Sequence, residues 1–361
     1  MKVLITVPRL AMPGGVSNYY RTLRSHLDAD KVYLEIGGIP GERGRWRKLR
    51  RLLGDYWRFH RQLSQGGFDL VHVNPSMDLL SVFRDALFIL IAKAHRHPLL
   101  VFYRGWIPAA ETAVRNRFPR LFRRIYGKAD ASIVLAEEFH RVLRDLGIPG
   151  PFFLETTVVD DAVFTAAGET GPAAQGGLFR VLFLSRLDTG KGVPEALAAF
   201  AELQAHHPQA SLTIAGDGPE RSTAEREVTR RGLARVRFLG HVAGRDKTRA
   251  FQESDAYLFT SLAEGMPNSV LEAMAFGLPV VTRPVGGIRD FFEEGRMGFA
   301  VDSRDAGLFA ERLAHLAGDP ALRARMGAYN REYAARRFSA SQVTARLLAI
   351  YDQVAAPAAR A

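Results

Sequence analysis

Residues 264–287 read EGMPNSVLEAMAFGLPVVTRPVGG, and this stretch predicts a helix between a tight turn and a buried strand. Pro267 suits the first helical position, because its fixed φ is helical and its missing N–H would find no acceptor there anyway. Gly277 follows the last apolar residue of the periodic pattern and predicts the helix end. The segment therefore indicates a helix over 268–276 and a strand over 279–282.

The start of this helix is a candidate anion site. The backbone N–H groups of Asn268, Ser269 and Val270 occupy the first turn, where a helix does not bond them internally and where its dipole adds partial positive charge. A phosphate would fit there. Glu272 lies one turn further on in an otherwise apolar helix, so its carboxylate needs polar partners such as the hydroxyls of a ribose. Glu264, on the loop side of the phosphate, is placed to reach a sugar.

A purely structural interpretation of the two glutamates stays open at this stage. Buried carboxylates usually have protein partners. In this interpretation Glu264 caps a turn and Glu272 pairs with a nearby arginine.

The same stretch closely resembles the donor-site signature of the retaining family 4 glycosyltransferases, also called glycosyl transferases group 1. The resemblance rests on the Glu-x7-Glu spacing, on PNSVLEAMAFGLPVV and on the following VGGIRDFF, and it extends in pattern over nearly the whole chain. It implies the α/β GT-B fold, in which two Rossmann-like domains face a central cleft and a C-terminal helix crosses back to the N-domain.

Length and composition agree with two domains. The chain has 361 residues, of which 47% are hydrophobic, and this is enough for two cores. It has no cysteine, which excludes disulfides and fits a reducing cytosol. No apolar run reaches 18 residues, and the opening MKVLITVPRL is interrupted too early for a signal peptide, so it indicates a first strand. The net charge of +11 indicates an anionic partner or surface.

Short continuous apolar runs alternate with helix-length segments, as in parallel sheets that are covered on both faces. Residues 165–177 lack periodicity and read as a linker. We therefore predict one domain over 1–165 and a second over 166–337. The resemblance implies that the first is the acceptor-side domain, joined by a terminal helix over about 338–361, and that the second binds the nucleotide sugar. The predicted strands are 3–7, 32–36, 70–73, 99–103 and 131–135 in the first domain and 180–185, 211–215, 236–239, 256–260 and 279–282 in the second.

In the second domain, the resemblance assigns two cations to the donor. Arg186 and Lys191 follow the carboxyl end of the strand at 180–185, the edge where open α/β sheets bind ligands. Together with Glu264 they are the expected catalytic residues, since two cations can neutralise a diphosphate leaving group; the alternative is a solvated loop pair. Val242 lies in the segment that the family places against the nucleotide base, with His241 as a packing or base contact.

In the first domain, Gly14 and Gly15 resemble the family's glycine-rich loop, whose backbone comes close to the donor diphosphate. Many family members carry a histidine after the fourth strand, whereas this chain has Arg104, which cannot act as a base but can bind a phosphate or a charged acceptor. His72 and Asn74 are further acceptor-side candidates, with ordinary polar strand-end residues as the alternative.

The implied reaction is retaining transfer from a nucleotide diphosphate sugar, with UDP-sugar favoured, to a lipid-linked or polysaccharide acceptor in cell-envelope or exopolysaccharide biosynthesis. The resemblance implies neither a metal nor another cofactor, and the Asp28-Ala29-Asp30 sequence lies outside the position expected for a metal motif. Two alternatives stay open. One is a GT-B nucleotide-sugar epimerase, and the other is a basic membrane- or nucleic-acid-binding protein with a degenerate donor site.

The basic charge is concentrated in residues 43–61, which hold eight lysines and arginines against one aspartate. Trp46, Leu49, Leu53, Tyr56 and Trp57 recur there at helical spacing, a pattern typical of helices that lie on anionic membranes. No motif for specific nucleic-acid binding accompanies it. We expect a cytoplasmic protein, peripheral at the inner face of the cell membrane; the alternative is that the apolar stripe packs on the domain core.

Overall fold

The computed structural model describes residues 1–12, 14–27, 30–39, 41–168 and 178–356. Pro13, the first two residues of the Asp28-Ala29-Asp30 sequence and most of the predicted linker lie outside these ranges. The chain divides into two compact units, Met1–Val158 with Ala340–Ala361, and Val159–Ser339. The predicted boundary at 165 falls inside the second unit.

The first unit is a parallel sheet with helices. Its strand order is β2-β1-β3-β4-β5-β6, and every pairing is parallel. Its elements up to residue 158 are β1 (Val3–Pro8), α1 (Gly15–Leu23), β2 (Lys31–Ile36), α2 (Arg45–Ser64), β3 (Leu70–Val73), α3 (Leu79–Ala94), β4 (Leu99–Phe102), α4 (Pro108–Arg117), α5 (Pro119–Tyr126), β5 (Ala131–Val134), α6 (Glu137–Asp145) and β6 (Phe152–Leu154).

The second unit repeats the same plan with strand order β12-β11-β10-β7-β8-β9. Buried side chains cover both faces of its sheet, for example Phe200 and Leu313 in one cluster and Leu271 and Met274 in the other. Its elements are α7 (Asp161–Gly168), β7 (Arg180–Leu184), α8 (Val193–His206), β8 (Ser211–Ala215), α9 (Arg221–Arg231), β9 (Val236–Gly240), α10 (Gly244–Gln252), β10 (Ala256–Phe259), α11 (Asn268–Ala275), β11 (Val280–Thr282), α12 (Ile288–Phe291), β12 (Gly298–Ala300), α13 (Ala306–Gly318) and α14 (Pro320–Phe338).

The last helix, α15 (Ala340–Ala355), belongs to the first unit. Its buried side chains include Val343, Leu347 and Tyr351, which form one face of the helix. Arg346 of this helix forms an ion pair with Glu155, in which its Nε donates to Glu155 Oε1 over 2.9 Å. The terminal helix is thus held by packing and by an ion pair within that unit.

The ten predicted strands are all present, each within one residue of its predicted ends. Two strands were missed, β6 and β12. Each has three residues at a sheet edge, which is too short for a continuous apolar run to stand out. The linker prediction was wrong for residues 165–168, which complete α7, and residues 169–177 are outside the described ranges.

None of the described helices combines the length and apolar content that crossing a bilayer requires.

Candidate functional site

The carboxyl edge of the second sheet brings Lys191 and Glu264 together. Lys191 Nζ donates to Glu264 Oε1 over 2.6 Å, and the Ser261 hydroxyl donates to the same oxygen over 2.9 Å. Lys191 follows β7 and Glu264 follows β10, and these two strands are neighbours in the sheet. The expected catalytic lysine and glutamate are therefore preassembled as an ion pair, in which both side chains keep some exposure.

Two glycines explain why the loops that carry this pair approach so closely. A Cβ at Gly192 would lie 2.2 Å from the Thr260 carbonyl oxygen, and Gly192 has a φ of +76°. The Thr260 hydroxyl donates to the Gly192 carbonyl over 2.7 Å. At Gly286 a Cβ would lie 2.3 Å from the Glu264 carbonyl oxygen. Only glycine fits at these contacts, so the loops after β7, β10 and β11 are locked around Glu264.

Arg186 lies on the same loop as Lys191 but is exposed to solvent. Its guanidinium forms an ion pair with Asp188. The loop itself packs tightly against the turn at residues 215–219, which follows β8. A Cβ at Gly216 would lie only 1.8 Å from the Ser185 carbonyl oxygen. The loop is therefore fixed while the Arg186 side chain stands outside it, available to an anion.

Helix α11 begins at Asn268, as predicted, but Pro267 is its N-cap and not its first helical residue. Pro267 provides no side-chain cap, and the first turn has no acidic residue. Tyr257 on β10 connects this turn to the neighbouring strand β7: its buried hydroxyl donates to the Leu184 carbonyl over 2.8 Å and also bonds Ser269. The helix start thus lies beside the carboxyl end of β7.

Glu272 is buried and forms an ion pair that the sequence analysis did not identify. Lys247 Nζ, from α10, donates to Glu272 Oε1 over 2.7 Å. The partner is a lysine 25 residues earlier in the chain, not the arginine considered above. No sequence motif marks Lys247, because the contact depends on how α10 and α11 fold beside each other.

The three other donor-side candidates are Val242, Gly14 and Gly15. Val242, just after β9, packs partly buried against the core of the second unit, while His241 is exposed. In the first unit Gly14 is the N-cap of α1, and Gly15 has open space where a Cβ would be. Their predicted contacts with a nucleotide sugar stay predictions.

His72 and Asn74 occupy the interior of the first unit. His72 is fully buried, and its Nδ1 lies 2.7 Å from the Tyr351 hydroxyl of α15. Asn74 accepts from the Tyr20 hydroxyl over 2.8 Å and donates to the Thr6 carbonyl over 2.9 Å. These contacts match the alternative considered above, in which both residues are polar strand-end residues with structural partners.

The same contacts define the protonation state of His72. Because Tyr20 donates to Asn74, its hydroxyl can only accept from His72 Nε2, 3.5 Å away, so Tyr351 donates to Nδ1. Burial, with a smaller contribution from the Arg104 cation, lowers the pKa of His72 to about 3. The ring is therefore neutral at physiological pH, with its one proton on Nε2 and with Nδ1 occupied by the Tyr351 hydroxyl, and it is fully buried.

Arg104, after β4, is a buried cation with an incomplete set of partners. Its guanidinium carbon lies 3.9 Å from the centre of the Tyr19 ring and 4.3 Å from that of Phe102. Its Nε and Nη1 are buried and have no hydrogen-bond partner in the described part of the chain. Burial lowers the pKa of the guanidinium, although its proximity to Tyr19 opposes this shift. Burying a charged group without hydrogen-bond partners costs free energy, and a bound anion would remove this cost by accepting from Nε and Nη1.

Two family models match the chain. Residues 8–151 match the glycosyl transferase 4-like domain, and residues 172–333 match the glycosyl transferases group 1. The chain belongs to the family 4 glycosyltransferases of group 1. Together the two matches cover most of both units, including Lys191, Glu264 and Glu272.

Curated relatives of this glycosyltransferase match slightly less than half of the chain. A glycogen synthase of Mycobacterium tuberculosis is 31% identical over 180 residues, which are 48% of this chain and 42% of the relative. A lipopolysaccharide core biosynthesis glycosyltransferase of Rhizobium meliloti is 32% identical over 166 residues, 45% of this chain and 47% of the relative. The chain spans less than half the length of these relatives.

Solved structures share the fold of this glycosyltransferase over nearly its whole length. The Anabaena protein Alr3699/HepE, crystallised with UDP, has a TM-score of 0.77 at 18% identity, covering 98% of this chain and 100% of that one. A sucrose-phosphate synthase from Thermosynechococcus elongatus has a TM-score of 0.76 at 19% identity, covering 99% and 100%. The α/β GT-B fold predicted from the sequence is confirmed.

Proposed function

We propose that this chain transfers a sugar from a nucleotide diphosphate donor, in the first place a UDP-sugar, to an acceptor hydroxyl with retention of anomeric configuration. The observation that carries the proposal is the Lys191–Glu264 ion pair, held at the edge of β7 and β10 where α11 begins. An ammonium, an exposed arginine and a helix start close to one another suit a diphosphate. The UDP and UDP-glucose complexes of the Anabaena protein support the choice of base.

The proposed chemistry is electrostatic. The acceptor hydroxyl attacks from the side that the nucleotide leaves, and an oxygen of the departing phosphate takes its proton. Lys191 and Arg186 stabilise the charge that grows on the diphosphate, and the first turn of α11 adds its backbone N–H groups and dipole. Glu264 holds Lys191 in place before the donor arrives and then faces the sugar. Glu272, oriented by Lys247, accepts hydrogen bonds from the ribose.

For the acceptor, we propose a lipid-linked or polysaccharide substrate with a negative charge. Arg104 supports a charged acceptor, because its buried Nε and Nη1 have no hydrogen-bond partner among the described residues and a phosphate or carboxylate would accept from them. Relatives in lipopolysaccharide core synthesis and in Vi polysaccharide biosynthesis support the class of acceptor. The pathway proposed is cell-envelope or exopolysaccharide biosynthesis.

We further propose that the chain works in the cytoplasm, on the inner face of the cell membrane, with α2 against the lipid. The alternative that the apolar stripe of α2 packs on the core applies to Tyr56, which packs against Phe88 at 4.8 Å between ring centres. It does not apply to the other four residues of the stripe, which are exposed: Trp46, Leu49, Leu53 and Trp57. Exposed tryptophans beside arginines suit a membrane interface.

A thermal-shift screen with UDP-, GDP- and ADP-sugars tests the donor, since a ligand that binds only the folded state raises its melting temperature. We expect the largest shift with a UDP-sugar, and its loss in Glu272→Ala. Proton NMR of the product then tests retention through the anomeric coupling. Isomerised sugar without acceptor would favour an epimerase, and no shift with any nucleotide would overturn the donor site.

A further inference from the structure

Helix α3 carries an apolar row on its outer surface. Leu80 is 83% exposed, Phe83 53% and Leu87 40%, and Leu90 continues the row at helical spacing. A helix of a domain core normally turns such residues inward. The opposite face of α3 does so, with Phe88 and Ile89 fully buried. The outer row is therefore a second apolar surface of a helix whose core side is already satisfied.

Two neighbouring helices pack against α3 on either side. On one side, Tyr56 of α2 packs against the buried Phe88, with 4.8 Å between the ring centres, and donates its hydroxyl to the Arg84 carbonyl over 3.0 Å. On the other side, the ring centre of Phe83 lies 5.2 Å from that of Phe118, the residue that joins α4 and α5. Leu53 of α2 and Leu121 of α5, each three residues from one of these contacts, are also exposed. We call the surface formed by Leu53, Leu80, Phe83, Leu87, Leu90 and Leu121 the apolar face.

Cations flank the apolar face on both sides. Lys48 and Arg50 are exposed on α2, and Arg120 and Arg124 are exposed on α5. The acidic residue of α2, Asp55, is buried and occupied by ion pairs with Arg51 and Arg58. The rim of the apolar face is therefore strongly positive, while its centre is hydrocarbon.

We infer that the apolar face inserts into an anionic lipid bilayer, with the row of α3 entering the acyl region and the arginines of α2 and α5 lying among the headgroups. This inference deepens the proposed function, and it rests on the membrane setting proposed there for α2. An anionic bilayer matches both parts of the surface, since it offers hydrocarbon below a layer of negative charge. The insertion places the first unit, which carries Arg104, next to lipid-linked acceptors.

Two other occupants fit the surface less well. In a two-fold dimer each apolar face would meet its own copy, which brings two positive rims together. Nucleic acid would satisfy the cations but would leave the row of α3 in water. An exposed leucine is not unusual in itself, as Leu308 of α13 in the second unit is 42% exposed. Within the described part of the chain, no other large apolar residue of α13 is exposed, so Leu308 serves as a matched control.

The test uses the full chain and vesicles with and without anionic lipid. We expect wild-type protein to co-sediment with anionic vesicles and to retain part of this binding in about 1 M salt, where the Debye length shrinks to about 3 Å. The triple variant Leu80→Gln, Phe83→Gln, Leu87→Gln should bind at least about tenfold more weakly and lose the salt-resistant part, because it removes buried apolar area. Leu308→Gln should bind like wild type.

Three outcomes of the vesicle experiment overturn the inference. Wild-type protein that stays in the supernatant, or a triple variant that binds like wild type, removes α3 from the membrane contact. Self-association that the triple variant abolishes would assign the apolar face to a second copy. A UDP thermal shift in every variant verifies folding. Vesicle binding without sugar transfer would leave the inference standing and reject the proposed function, so the two failures are distinguishable.

Discussion

Lys191 Nζ and Glu264 Oε1 are 2.6 Å apart, so the cation expected to meet a diphosphate is already paired with the carboxylate expected to face the sugar. The pair keeps the ammonium in place without a donor. In the proposed reaction, a bound diphosphate would compete with Glu264 for the lysine, and its attraction for the lysine would grow as charge develops on the leaving group. Lys191 would then stabilise the transition state more than the bound donor.

Replacement of Lys191 by Met should lower kcat more than donor affinity. The loss of one preorganised donor to a developing oxyanion costs about 10²- to 10³-fold in rate. Arg186→Met should act in the same direction but less strongly, because its side chain is exposed and pairs with Asp188. Single-turnover kinetics and calorimetry separate the two effects, with Lys128→Met as the control for an exposed lysine. Equal losses in affinity and rate would instead indicate uniform binding.

Glu272→Ala should weaken nucleotide binding by about 1 to 3 kcal/mol, the range for lost hydrogen bonds to a charged group. Lys247→Met should weaken it less, since Lys247 orients Glu272 through the 2.7 Å ion pair without itself contacting the ribose. Calorimetry with UDP measures both. Glu253→Ala, which removes a more exposed carboxylate bound to Arg249, is the control. Unchanged affinity in a folded Glu272→Ala protein removes this residue from the site.

The sequence predicted the sheets because ten strands are continuous apolar runs, and it missed β6 and β12 because three residues carry no pattern. It identified Glu264 and Lys191 through motifs, but not their ion pair, since 73 residues separate them and only the adjacent strands β7 and β10 bring them together. Lys247 has no motif at all. For α2, the sequence pattern of an apolar stripe is the same whether the stripe faces a protein core or a lipid bilayer. Only the fold shows that Trp57 is exposed.

Arg104→Met should separate stability from activity. Removing a buried cation whose Nε and Nη1 find no hydrogen-bond partner in the described residues should leave the free energy of unfolding unchanged or higher, since an apolar side chain of similar length fits beside Tyr19 and Phe102. Transfer to a phosphate-bearing lipid acceptor analogue should fall about tenfold or more, as expected from the loss of a charged hydrogen bond. Urea unfolding and acceptor kinetics measure the two effects, and Arg104→Lys tests charge alone. A destabilised variant with normal acceptor kinetics would make Arg104 a structural residue.

His72 should make the protein acid-sensitive. Its pKa is about 3 in the folded chain and 6.5 ordinarily, so between these values the unfolded chain binds a proton that the folded chain does not. The contribution of His72 to stability is therefore fully present above pH 6.5 and is lost as the pH falls, by about 1.4 kcal/mol per pH unit. Urea unfolding between pH 7.5 and 5 should show a shallower decline for His72→Gln than for the wild type and for the exposed control His241→Gln. Parallel declines in all three would mean that His72 does not titrate as its burial requires.

Replacement of Arg45, Arg47, Lys48 and Arg50 by Gln should weaken binding to anionic vesicles by up to about 1 kcal/mol per charge near the surface. These four are exposed, whereas Arg51 is left in place because it binds Glu42 at 3.0 Å and Asp55 at 3.2 Å, and its loss would disturb α2 itself. The effect should be large at low salt and small at about 1 M salt, since it is a screened interaction between charges. Turnover of a short soluble acceptor should survive, because the expected catalytic pair Lys191 and Glu264 belongs to the second unit.

A control variant with the same change in net charge replaces four exposed arginines on α9 and α10 by Gln: Arg226, Arg230, Arg245 and Arg249. If this control variant loses vesicle binding to the same extent, net charge alone attracts the protein to the membrane and α2 is not the contact.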